Sequence, residues 1–66
     1  DQIVANVQGF LNEQGFSLEE DGFFGSETAD TIQEYLENLP EDEYTALGYN
    51  YVENPNYITL AFYNSI

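Results

Sequence analysis

The side chains able to do chemistry in this 66-residue sequence are nearly all of one kind. There are 13 aspartates and glutamates, and no lysine, arginine, histidine or cysteine. An activated nucleophile needs a His or Lys beside its Ser or Cys, and none can be built here. Two carboxylates can hydrolyse a glycosidic bond, one as acid and the other as base or nucleophile, but only across a cleft that raises one pKa. A chain this short rarely holds such a cleft, so the sequence predicts a non-catalytic protein. With no His or Cys, transition-metal sites are disfavoured. Oxygen ligands for calcium remain, and the consecutive Glu19, Glu20 and Asp21 ahead of Gly22 form the candidate loop. These acids do not alternate toward a sixth-position Gly, so the plainer reading is a solvated acidic loop.

The charge of −13 decides which partners are excluded. Phosphate binding rests on Lys and Arg, which rules out nucleic acid as a direct ligand and disfavours anionic membrane surfaces. No apolar run approaches the ~20 residues of a membrane span, so no membrane insertion is expected. Carboxylates that find no cation repel one another, so the fold should favour acid, salt, divalent cations or a basic partner. A saline habitat would also select such acidity. Met, Trp and Cys are absent, as are the Lys and Arg that trypsin-like proteases cut after. This suits an extracellular or cell-surface life. A start at Asp1 without methionine suggests a processed precursor or a fragment.

Two helices must position the acidic loop. Ile3, Val4, Val7, Phe10 and Leu11 follow helical spacing and predict a helix over 3–14, with Gly9 inside it marking a close backbone approach. Gly15 fits the left-handed position past its end. Thr28, Ile32, Tyr35, Leu36 and Leu39 predict a second helix over about 27–38, capped by Ser26 and stopped by Pro40. Glu41, Asp42 and Glu43 open a third over 41–47. Between the first two lies Asp21-Gly22-Phe23-Phe24-Gly25-Ser26-Glu27-Thr28, a shaped turn in which at least one phenylalanine drops between the helices.

This turn, with Leu11, Gly15-Phe16, Ala29 and Ile32, resembles the small peptidoglycan-binding-like domain over about residues 3–39. The resemblance rests on Asp21, Gly22, Phe24, Gly25 and Thr28. It implies a non-catalytic three-helix module of the kind attached to cell-wall hydrolases. A glycan-binding role would fall to Tyr35, Tyr44, Tyr49 and Tyr51, because aromatic rings and carboxylates can hold sugars. Largely anionic wall polymers, however, should repel a chain this acidic.

After Gly48 the pattern changes. Tyr49–Glu53 is β-prone, 54–56 is turn chemistry, and Ile58, Leu60 and Phe62 alternate with Tyr57, Thr59, Ala61 and Tyr63. The expected fold is therefore mainly α with a C-terminal β-hairpin, an α+β arrangement. It has a helical domain at 1–48 and a Tyr/Asn-rich hairpin tail at 49–66, packed on the domain or on a neighbouring subunit. No charged residue occurs from Asn54 to Ile66. An uncharged edge strand invites pairing, so Tyr57, Ile58, Leu60, Phe62 and Tyr63 are the expected self-association residues of a homo-oligomer or polymer. The leading expectation is an extracellular structural subunit forming a fibre or surface assembly. The alternatives are a cell-wall glycan module and an acidic mimic or inhibitor of a basic partner.

Overall fold

A computed structural model of the chain describes residues 1–50 and 55–66. They contain four helices, α1 (Gln2–Glu13), α2 (Ser26–Glu37), α3 (Glu41–Ala46) and α4 (Leu60–Ser65), and no strand among the described residues. None of these helices is long and apolar enough to cross a membrane.

Helix boundaries follow from local chemistry. Asp1 caps α1, its Oδ1 accepting from the Ile3 and Val4 amides at 2.8 and 3.4 Å. At the other end, Gly15 takes φ +104°. Its N–H reaches Asn12 O at 3.1 Å, and Phe16 N–H reaches Leu11 O at 3.3 Å, the paired closure of a left-handed C-terminal turn. Gly48 repeats this closure after α3 at φ +90°, with Tyr49 N–H on Tyr44 O at 3.1 Å. Gly25, not Ser26, is the N-cap of α2; it makes no side-chain cap bond, and Ser26 is already the first helical residue.

The core lies between α1 and α2 and is closed by residues from the tail. Val7, Leu11, Ile32, Leu36, Tyr49 and Phe62 form one buried cluster. The α1 stripe is rotated from the expected one: Val4, Val7, Gln8 and Leu11 are buried, while Ile3 is half-exposed and Phe10 only partly covered. Phe62 meets Phe10 edge-on at 6.0 Å, stacks with Tyr35 at 5.9 Å and meets Tyr49 edge-on at 6.2 Å. Burying a side chain of this size contributes about 1.5–3 kcal/mol, so the tail is integral to a small fold that has no disulfide.

The C-terminal hairpin is therefore overturned. Residues 60–65 are helical, and Tyr49 and Asn50 are not in a strand; the rest of the expected first strand lies outside the described residues. Alternation over seven residues competes poorly with two local facts. Thr59 is an N-cap whose Oγ1 accepts from Phe62 N–H at 3.0 Å, and Leu60 and Ala61 are strong helix formers. The core decides the matter by placing Phe62 inward and Leu60 outward, an arrangement that puts the expected Ile58-Leu60-Phe62 face on different sides of the chain.

Candidate functional site

The turn before α2 is organised by a residue that sequence reading passed over. Gln8 is 1% exposed and reaches across from α1. Its amide Nε2 donates to Asp21 Oδ1, Phe23 O and Thr28 Oγ1, each at 3.1 Å, and its Oε1 accepts from Gly22 N–H at 2.9 Å. Asp21 Oδ1 also accepts from Phe23 N–H at 3.0 Å. These donors, the Phe23 amide foremost and the Gln8 side chain next, hold the Asp21 carboxyl below the usual range. Asp21, Gly22 and Thr28 thus meet around Gln8, and Gly22 O accepts from the Asp1 backbone nitrogen at 3.1 Å. Gly22 holds φ +75°, and a Cβ there would sit 2.7 Å from Asp1 N and O. The available signal for Gln8 was its place one turn from both Val4 and Leu11, inside the apolar stripe.

Phe23 and Phe24 divide as the turn requires. Phe24 packs partly against the core, whereas Phe23 is 71% exposed. Its ring lies over Gly25, where a Cβ would come within 2.8 Å.

The acidic loop is tied down one turn further along α1. Asn12 Nδ2 donates to Leu18 O at 2.9 Å and to Glu20 Oε2 at 3.0 Å, while its Oδ1 accepts from Leu18 N–H at 2.7 Å. The neighbour of Gly9 is this carboxylate, not the close backbone expected: a Cβ at Gly9 would lie 3.2 Å from Glu20 Oε1. Glu20 and Asp21 are thereby drawn to different α1 residues, and Glu19, Glu20 and Asp21 do not converge as a calcium loop. Among the described residues no three acidic side chains are placed to share a metal ion.

Among the described residues, open grooves flank α1, and two of them bear on the candidate residues. The first, about 460 Å³, runs between α1 and the end of α4, lined by Gly9, Phe10, Glu13, Glu20, Tyr63 and Ile66. The second, about 440 Å³, is bounded by Phe10, Gln14, Tyr35, Leu39, Glu43 and Leu47. Of the candidate glycan-binding tyrosines, Tyr35 borders this second groove, with its pKa raised by burial and then by the nearby Glu43 charge. Tyr44 is half-buried against the core. Tyr49 is 2% exposed, stacked on Tyr57 at 5.4 Å, and its hydroxyl donates to Tyr57 O at 3.1 Å, so its ring faces are occupied within the chain. Tyr51 lies outside the described residues.

The expected self-association residues also separate. Phe62 is fully buried, and Ile58 and Tyr63 are half-buried against the core. Tyr57 and Leu60 remain 53% and 74% exposed, joined on the same uncharged segment by Ile66 at 40%. Leu60, Phe62 and Tyr63 lie in α4 and so do not offer the strand edge expected of them, while Tyr57 and Ile58 precede the helix and are not in a strand.

Comparison with known proteins finds no match to this chain, whether among family models, curated proteins or solved structures.

Proposed function

We propose that the chain is a non-catalytic, extracellular structural subunit that self-associates through the exposed side of its neutral C-terminal segment. One observation carries this reading. The thirteen acids all precede residue 54, and the uncharged stretch after it presents Tyr57, Leu60 and Ile66 to solvent. Two copies each bearing −13 meet least repulsion where neither carries charge. Burial of an exposed leucine there contributes about 1.5–3 kcal/mol per copy.

Light scattering against salt is the test. Association should strengthen as the Debye length falls from about 30 Å at 0.01 M to about 3 Å at 1 M, and Leu60→Glu should abolish it. A chain that stays monomeric at about 0.1 mM in 1 M salt refutes the reading.

A glycan module is the second reading, favoured by the groove beside Tyr35, where ring surface, the Gln14 amide and the Glu43 carboxylate occur together. It predicts retention on purified wall sacculi. Absence of binding in moderate salt, where charge repulsion is screened, rules it out.

A further inference from the structure

We propose that Asp21 is a latent site of spontaneous backbone isomerisation to isoaspartate, and that the buried Gln8 side chain guards it. This site is independent of self-association and of any glycan.

Asp21-Gly22 is the one Asp-Gly step in the sequence. A glycine after aspartate leaves the next amide nitrogen unshielded by a side chain, and its backbone freedom lets that nitrogen swing onto the aspartyl carboxyl. The Gly22 nitrogen then bonds to Asp21 Cγ, the amide proton and the carboxyl OH leave as water, and a five-membered succinimide closes. Water adds back to open the ring. Cleavage at the original main-chain carbonyl leaves the chain running through Cγ, with one more methylene in the backbone and no change of composition.

Cyclisation needs a Gly22 nitrogen free to turn and a neutral carboxyl, because a carboxylate does not lose its oxygen as water. One side chain holds both reacting groups. Gln8 Oε1 accepts from the buried Gly22 N–H at 2.9 Å, and Gln8 Nε2 donates to Asp21 Oδ1 at 3.1 Å. Phe23 N–H binds the same Oδ1 at 3.0 Å, which draws the carboxylate to the amide beyond Gly22. The Gly22 carbonyl is anchored in turn by the Asp1 backbone nitrogen at 3.1 Å. The Phe23 and Gln8 donors also keep the carboxyl ionised below the usual range. Asp21 itself is exposed, so the water that opens a succinimide has access once the turn lets go. The added methylene then shifts Gly22 away from Gln8, and a buried N–H loses its acceptor. Conversion therefore weakens the turn permanently.

The full chain is held at about pH 5 in about 1 M salt, where repulsion is screened and a free carboxyl is partly protonated. Samples taken over weeks are denatured and cut with an Asp-specific endoprotease, which cleaves before aspartate and not before isoaspartate. Loss of the cut before residue 21 counts conversion. The native chain should convert at least about tenfold more slowly than the same chain unfolded in urea. Gln8→Leu and Thr59→Val are then compared at a matched, almost wholly folded fraction, set with urea and read by circular dichroism. Thr59→Val weakens the fold far from the turn and keeps the guard. Gln8→Leu should convert at least about threefold faster than it, the factor for one lost hydrogen bond. Native amide exchange is the second readout if Gln8→Leu does not fold: Gly22 N–H should exchange at least about tenfold more slowly than in the unfolded chain. Native conversion as fast as unfolded, equal rates in the matched variants, slower conversion in Gln8→Leu, or an unprotected Gly22 amide would each overturn the guard.

Discussion

Replacing Gln8 by leucine tests whether one buried amide holds the turn to the helices. The substitution roughly conserves volume and leaves the apolar neighbours in place, but it deletes every bond the side chain makes. Gly22 N–H, buried and bonded to Gln8 Oε1 at 2.9 Å, loses its acceptor. A buried donor left without a partner costs about 1–3 kcal/mol. Thr28 Oγ1 and Phe23 O lose a donor at 3.1 Å each, although Thr28 can still donate to Phe23 O. A loss of about 0.5–1.5 kcal/mol for each of these is partly offset by the better transfer of leucine. The net expectation is about 2–4 kcal/mol out of a total near 3–10 kcal/mol for a chain of this length. Thermal unfolding followed by circular dichroism in high salt should show the midpoint falling by about 10–25 °C. Gln8→Glu separates the two halves of the amide: it keeps an acceptor for Gly22 but places a carboxylate against Asp21. It should be worse than leucine at neutral pH and should recover as the pH is lowered. A Gln8→Leu protein within about 1 kcal/mol of the parent would refute the assignment of Gln8 as the hub.

Gly22→Ala should cost more than 2 kcal/mol, about 1–2 from the left-handed backbone and the rest from collision with Asp1. Gly15→Ala, at φ +104° with nothing within 4 Å, should cost only the backbone part, and urea titration of the pair checks the difference. The folded-state pKa of Asp21 is depressed, so its contribution is present above the unfolded value of about 3.9 and is lost as pH falls below it. Stability measured by urea titration should therefore rise as repulsion is relieved between neutral pH and about 4.5, then fall, and Asp21→Asn should flatten the fall. Tyr49 has its pKa raised, chiefly by burial, so folding favours its neutral form. That contribution is complete below about pH 10 and is lost as pH climbs through the raised value, so a phenolate absorbance titration should show Tyr49 ionising above the ordinary tyrosine range. Thr59→Val removes the cap on Phe62 N–H and the bond to Leu47 O, and should cost about 1–2 kcal/mol and expose Phe62 to fluorescence quenching.

How far the sequence could be read depended on whether the deciding partner was near in the chain. The three N-terminal helices announce themselves through the apolar stripe, Asp1, Gly15, Pro40 and Gly48, all signals confined to a turn or two. The tail could not be read this way. Over 57–63 an alternating pattern and a helical one share the same apolar residues, and what separates them is the Phe10–Tyr35–Tyr49 pocket that receives Phe62. Those rings are remote in sequence, so the local pattern suggested a strand and the packing made a helix. Gln8 escaped notice for a related reason. Helical spacing marks it as inward-facing, but only the tertiary placement of Gly22, Phe23 and Thr28 gives each of its polar atoms a partner. The surface grooves were least legible, since those beside Tyr35 and Glu13 are products of where α3 and α4 come to rest.

The absence of any basic side chain also explains the internal chemistry. Where a carboxylate approaches the fold, an amide takes the place of the missing cation: Ile3 and Val4 N–H for Asp1, Phe23 N–H and Gln8 for Asp21, and Asn12 for Glu20. Amide donors stabilise an anion without lowering the net charge, so long-range repulsion survives in full while local geometry is satisfied. No buried polar side-chain atom among the described residues lacks a partner. The turn is therefore held by short-range bonds that salt barely screens, whereas the repulsion opposing the fold is long-range and strongly screened. These two ranges give salt a single direction of effect, toward the folded chain. They also leave the −13 charge free to act outward, so that two copies of the chain repel each other least at the end that carries no charged side chain.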